Sequence, residues 1–187
     1  MAKVEYKDQR VGIFVDIQNL YHSAKNIYDS RVNYNEMVKS LTGKRQLVKA
    51  FAYVVKSDTE EETTVSRTTG KSEASFFDAL EKSGLSLRVK DLQIFAGGAK
   101  KADWDVGMAV DAIRLNPSLD VIILVTGDGD FIPLVEYLRI GLGKEVEVAA
   151  FSKSASGKIK EVGDRFINLE NIPKILIKLP PKGIKNK

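Results

Sequence analysis

Two aspartates separated by one glycine, Asp128 and Asp130 in Thr126-Gly127-Asp128-Gly129-Asp130-Phe131, follow at once on the apolar run Val121-Ile122-Ile123-Leu124-Val125. A short β-branched run of this kind reads as a strand buried on both faces, as in a parallel sheet. An interior strand has no packing use for a tight acidic turn at its end. A second run, Val11-Gly12-Ile13-Phe14-Val15, ends on Asp16, with Asn19 shortly after it. In an open α/β sheet, ligands bind in the crevice outside the carboxyl ends of the strands. Acids at two such ends face each other there, and facing carboxylates are stable mainly when protonated or bridged by a cation.

A third acidic segment, Lys100-Lys101-Ala102-Asp103-Trp104-Asp105-Val106-Gly107-Met108, opens a helix that feeds the strand before Asp128. Acids in a first helical turn suit the helix dipole and serve as caps, which is the structural role open to Asp103. At roughly 100° per residue, a helix through both acids turns Asp105 about 200° away from Asp103. Only one of them then reaches a small site, and Asp105 is the choice, because the small Ala109 and Ala112 beyond it let the helix pack closely. Asp111 either supports the site from behind or pairs with Arg114 at the surface. Asn19 either hydrogen-bonds Asp16 or a substrate oxygen, or caps a helix. Thr126 either orients Asp128 through its hydroxyl or belongs to the turn. Lys100 and Lys101 stand where a substrate phosphate would approach, although a lysine pair is commonly plain surface.

Asp16, Asp105, Asp128 and Asp130 together make an oxygen-only ligand set without histidine or thiolate, which suits Mg²⁺ or Mn²⁺ rather than zinc. Such a cation activates water near neutral pH and neutralises charge on a transferring phosphoryl group, the usual apparatus for hydrolysing a phosphodiester. Each acid taken singly also has a bland explanation, since aspartate caps helices and Gly-Asp-Gly is common turn chemistry. Three separate segments delivering acids to one edge of one sheet make coincidence a poor account.

The elements that position these acids alternate between strand-like and helical patterns, which predicts a parallel sheet with right-handed crossovers. Strands are expected at 11–16, 46–55, 85–90, 120–126 and 145–151, and helices at 18–28, 34–41, 73–83, 103–115, 131–141 and near 155–163. Asn33 caps the second helix, Gly84 stops the third, and Asn116-Pro117-Ser118 ends the fourth. Residues 92–95 alternate as a short edge piece, and 166–179 add a strand or short helix that closes the fold. Residues 57–73, rich in Thr and Glu, lack apolar periodicity and are expected to form a mobile solvated loop on the rim that carries the acids.

The chain has 187 residues, 43% of them hydrophobic and 29% charged, ordinary values for one globular domain. There is no cysteine and only one histidine, His22, which excludes disulfides, thiolate nucleophiles and multi-histidine metal cages. No apolar run approaches the roughly 18–20 residues that span a membrane, and the charged N-terminus lacks a signal-peptide core. A cytoplasmic protein is expected. The net charge is +4, but residues 174–187 hold five lysines and no acid, and without them 24 basic residues face 25 acidic ones. The basicity therefore belongs to a tail, able to attract phosphate backbones yet most simply a solvated terminus. The expected organisation is an extension over 1–9, a domain over 10–173 and the basic tail over 174–187.

Val15-Asp16-Ile17-Gln18-Asn19-Leu20, Ala102-Asp103-Trp104-Asp105-Val106-Gly107-Met108-Ala109-Val110-Asp111-Ala112-Ile113 and Val125-Thr126-Gly127-Asp128-Gly129-Asp130-Phe131 together resemble the NYN domains of the LabA-like group, relatives of the PIN-domain nucleases. Val146-Glu147-Val148-Ala149-Ala150-Phe151 and Asp164-Arg165-Phe166-Ile167 are similar to that family's last strand and closing helix, so the likeness runs over about residues 10–170. It implies a PIN-like, Rossmann-like three-layer α/β/α fold with a mostly parallel central sheet. It also implies divalent-metal-dependent ribonuclease chemistry on single-stranded RNA, with Asp16, Asp105, Asp128 and Asp130 as catalytic metal ligands holding Mg²⁺ or Mn²⁺. Asn19, Thr126, Lys101, Asp103 and Asp111 fall around them as substrate-binding or supporting residues. Thr126 stands where serine is frequent, and the 57–73 segment is long; neither departure removes a ligand.

The rival is a non-catalytic RNA- or protein-binding regulatory domain on the same fold, with a protein partner or a second copy as its target. Near these motifs, aromatic residues for stacking on unpaired bases are few, namely Trp104, Phe131 and Tyr21, and the first two read better as core. An aspartyl-nucleophile phosphatase starting from Asp16 wants a second acid two residues on, where Gln18 stands. The glycine pair of Ala96-Gly97-Gly98-Ala99-Lys100 lacks phosphate-loop spacing.

Overall fold

The structure is a computed structural model that describes residues 6–56, 66–91, 93–94, 100–101 and 103–179. Most of the 57–73 segment, most of the N-terminal extension and the end of the basic tail lie outside the described residues.

The apolar runs form the strands of a six-stranded sheet: β1 (Arg10–Asp16), β3 (Gln46–Lys56), β4 (Ser86–Asp91), β7 (Val121–Val125), β8 (Glu145–Ala150) and β9 (Arg165–Asn168). Their order is β4-β3-β1-β7-β8-β9, and every neighbouring pair is parallel. Alternation along the central strands serves two apolar layers at once. Val11, Ile13, Val15, Val121, Ile123 and Val125 pack into one core, while Phe14, Ile122 and Leu124 pack into the other.

Helices α1 (Ile17–Tyr28), α2 (Tyr34–Thr42) and α3 (Ser66–Lys82) send Leu20, Ala24, Met37, Leu41 and Leu80 into the first core. On the opposite face α4 (Asp105–Leu115), α5 (Ile132–Glu136) with the π turn that continues it, and α6 (Ile159–Val162) send Met108, Ala112, Val135, Leu138 and Ile159 into the second. The architecture is the expected three-layer α/β/α fold. From β1 the chain builds outward through β3 to β4, then crosses back to lay β7 on the other side of β1. The order therefore reverses between β1 and β7, and the crevice at their carboxyl ends is where such sheets bind ligands.

The five expected strands form, within a residue or two at each end. Asn33 caps α2 by accepting the Glu36 N–H at 3.2 Å, and Gly84 follows α3 at φ 85°, a left-handed conformation that favours glycine. Four expectations change. α3 begins at Ser66, so the end of the segment read as loop is helical, extending a helix whose apolar half (Phe76, Phe77, Leu80) is packed. α4 begins at Asp105 rather than 103. The 131–141 helix is a five-residue α-helix that widens into a π turn over Tyr137–Gly141. Residues 165–168, similar in sequence to a closing helix, instead form the sixth strand, because they hydrogen-bond along β8.

Two small antiparallel pairs complete the fold. β2 (Ser30–Val32) joins β10 (Leu176–Lys178), fastening the 166–179 segment to the link between α1 and α2. β5 (Gln93–Ile94) joins β6 (Lys100–Lys101), which gives the expected edge piece a partner. Among the described residues no helix is long and apolar enough to cross a membrane.

Candidate metal centre

The site is built at the reversal point. β1 delivers Asp16, whose backbone is extended and whose Oδ1 accepts the N–H of Asn19 at 3.0 Å, capping α1. Capping and site-forming are thus the same act, since the cap fixes the carboxylate at the rim. Its Oδ2 accepts the Thr126 hydroxyl at 3.2 Å, and that hydroxyl oxygen accepts the Asp128 N–H at 3.2 Å. Asn19 is not the cap; its side-chain oxygen accepts the Gly127 N–H at 3.0 Å. Asn19 and Thr126 together tie the turn after β7 to the end of β1. Within the turn, Asp128 accepts the Asp130 N–H at 3.0 Å.

Space is tight around Gly127. A Cβ at this position would stand 3.0 Å from the Ala155 Cα, and the Gly127 carbonyl accepts the Ser156 N–H at 3.0 Å. The loop after β8 therefore presses the turn against the cleft.

One carboxylate oxygen from each of Asp105, Asp128 and Asp130 lies within 4.8 Å of the others, so a single cation can reach all three. Asp105 and Asp128 are half-buried and Asp130 is exposed. Asp16 lines the same cleft but stands outside this trio. The cleft has a volume of about 220 Å³, and Asp103, Asp105 and Asp128 also line it.

Asp103 departs from expectation. Because α4 starts only at Asp105, behind Trp104, the helical offset does not apply, and both acids line the cleft. Asp111 lies away from the trio, buried at 8% exposure. It accepts the Tyr53 hydroxyl at 3.1 Å and Arg88 Nε at 3.1 Å, with Arg114 at 3.6 Å. Since the Tyr53 ring lines the cleft, Asp111 holds a wall in place. The side chain of Lys101 lies outside the described residues.

Gln18, His22, Tyr53 and Trp104 also line the cleft, and only Trp104 stood out in the sequence, as a stacking candidate better read as core. It is both, packing against the second core while its Nε1 donates to the Val54 carbonyl at 2.8 Å. Phe131 is core, at 3% exposure, and Tyr21 is exposed. Gln18 and His22 are one helical turn apart behind Asp16, a spacing that points both to one side of α1. Tyr53 stands opposite Asp16 across the β1–β3 pairing, a register that sequence does not reveal.

Crowded acids resist ionising. Burial is the first cause lifting Asp16 above the usual aspartate range, opposed by its hydrogen bonds from Asn19 and Thr126 and reinforced by the charge of Asp128. Burial also leads for Asp105, followed by the charges of Asp103, Asp16, Asp128 and Asp130. A carboxyl with a raised folded pKa keeps its proton after the unfolded chain has lost it, so stability falls as pH rises. The contribution is full below the unfolded value of about 3.9 and is lost as pH passes through the raised values. A bound divalent cation offsets the repulsion once the acids ionise. The melting-temperature gap between Mn²⁺ and EDTA is therefore expected to widen as pH rises from about 4 to about 7. A gap that stays constant across that range would contradict this account.

The sequence profile of the NYN-domain family matches residues 10–170. The chain is 24% identical over 180 residues to the low amplitude and bright protein LabA of Synechococcus elongatus, covering 89% of this chain and 87% of that protein. A crystal structure of a protein of unknown function from Vibrio parahaemolyticus is similar with a TM-score of 0.78 and 28% identity, over 94% of this chain and 100% of the other. With the profile spanning the acid-bearing sheet from β1 to β9, the chain belongs to the NYN-domain family, is LabA-like in type, and is built on the PIN-like fold.

Proposed function

We propose that residues 10–173 form a divalent-metal-dependent ribonuclease that hydrolyses phosphodiester bonds within single-stranded RNA in the cytoplasm. The observation that carries this function is the convergence of Asp105, Asp128 and Asp130 at the reversal point of a parallel sheet, beside Asp16. The donor set is all oxygen and all anionic, which fits Mg²⁺ or Mn²⁺. Asp105, Asp128 and Asp130 would hold the ion, with Asp16 adjoining. It would supply charge neutralisation and activation of water.

The remaining groups position and select. Asn19 and Thr126 keep the Asp128 turn fixed against β1. Asp111 keeps Tyr53 in the wall. Trp104, Tyr53 and His22 give the cleft flat faces suited to an unpaired base. Lys101 lies before α4, where a substrate phosphate would approach.

The test is cleavage of a fluorophore–quencher single-stranded RNA by purified protein in Mn²⁺, Mg²⁺ or EDTA. Cleavage is expected with either metal and none in EDTA. Folded protein that cleaves with neither metal would favour a non-catalytic RNA- or protein-binding regulator.

A further inference from the structure

The second face of the sheet is not covered evenly. Its central strands put Phe14, Ile122 and Leu124 under the helices, whereas the β3–β4 end carries Lys49, Arg88 and Lys90. Tyr53 pairs with Arg88 and Val55 with Lys90, so alternation sets all three cations on the side of Phe51 and Tyr53. The Arg88 guanidinium carbon stands 4.6 Å from the centre of the Phe51 ring, and Lys49 Nζ stands 5.6 Å from the same centre. Lys90 lies two residues beyond Arg88, about 7 Å further along the strand. Its Nζ donates to the Asp103 carbonyl at 3.2 Å and lies 5.8 Å from the centre of the Trp104 ring.

These cations are poorly neutralised. Asp111 accepts Arg88 Nε at 3.1 Å but is shared with Arg114 at 3.6 Å, and the two arginine side chains are 41% and 68% exposed. Lys49 and Lys90 form no ion pair among the described residues. Long cationic side chains commonly lie over apolar surface with their charged ends in water, which accounts for each residue singly. It does not account for their direction. The row follows the strands toward their carboxyl ends and stops at Asp103 and Trp104, which line the acidic cleft.

We propose that the open face of β3 and β4 is the track along which single-stranded RNA approaches the cleft, an assignment that rests on the ribonuclease function proposed above. Lys49, Arg88 and Lys90 hold successive phosphates of the strand. A cleft lined by Asp16, Asp103, Asp105 and Asp128 repels a phosphate backbone, so affinity for the strand has to come from beside it. The row of cations adjoins the cleft and carries the complementary charge.

The experiment is fluorescence anisotropy of an end-labelled oligouridylate of about sixteen nucleotides with the full chain in EDTA, over a series of salt concentrations. Neither metal nor cleavage then enters the measurement. Wild type is compared with Lys49→Gln, with Lys49→Gln/Lys90→Gln, and with Lys39→Gln on α2 across the sheet. The double variant is expected to bind about ten-fold or more weakly, its log–log salt slope reduced by about 0.7 for each lysine removed. Lys49→Gln, at an exposed position that should not affect folding, is expected to give half of that slope change. Lys39→Gln should match wild type. A double variant that equals wild type in affinity and slope overturns the track, even where the wild type cleaves RNA with metal. The expected loss in a protein that never cleaves upholds the track while the ribonuclease function fails. Absence of RNA binding by the wild type overturns the track as well. Polyglutamate that binds more tightly than the RNA, and is weakened by the same double variant, would assign the surface to an acidic protein and also overturn it.

Discussion

Asp128→Asn is expected to lower metal-dependent RNA cleavage at least about 100-fold, while the melting temperature stays the same or rises. Losing a mere outer partner of a metal ligand costs about 10–100-fold, and Asp128 is proposed as a ligand itself. Asparagine keeps the shape and an oxygen able to accept the Asp130 N–H, so the turn survives. What disappears is a charge that pushes both Asp16 and Asp105 toward protonation. Relief of that repulsion stabilises the metal-free fold. Asp16→Asn is a matched test, because asparagine caps a helix as well as aspartate does and α1 keeps its Asn19 bond. Initial rates in Mn²⁺ alongside melting curves separate lost chemistry from lost fold. Turnover comparable to wild type in either variant would remove the metal mechanism.

Glu147→Leu should produce the largest loss of stability, about 3–5 kcal/mol, because it leaves Arg45 buried beside Arg165 without their shared carboxylate. In a domain of this size that corresponds to a fall of about 6–20 °C in melting temperature. The double variant Arg45→Met/Glu147→Leu should recover most of the loss, since removing a buried pair together is far cheaper than removing one member. Denaturant melts of wild type, single and double variants measure the coupling directly. A single-variant loss under about 1 kcal/mol would show that Arg45 is not held by this carboxylate.

The sheet was legible because a parallel core writes itself as apolar runs in β1, β3 and β7, and β4 and β8 carry alternating apolar residues. The acids at the ends of β1 and β7 were legible for the same reason, since a charged turn after a buried strand has no packing explanation. The sequence leaves β9 open between strand and short helix because Arg165-Phe166-Ile167-Asn168 is short and half-exposed, so only its pairing with β8 defines it. Asp103 was turned away from the cleft by a helix start placed two residues early. Glu147 stands in an alternating stretch, Val146-Glu147-Val148, yet both faces of β8 are covered. Its partner Arg45 lies 102 residues away in sequence, and no local pattern announces such a pair.

Trp104 is the sole tryptophan of the chain. It is wedged over Gly107, where a Cβ would come within 2.5 Å of the indole ring, and is pinned at Nε1 by the Val54 carbonyl. Lys90 Nζ stands 5.8 Å from its ring, and the carboxylates of the neighbouring cleft face the same side of the fold. The protein thus carries a built-in fluorophore at the mouth of its acidic cleft, with no competing indole elsewhere. Occupancy of the cleft can be followed optically in unlabelled wild-type protein.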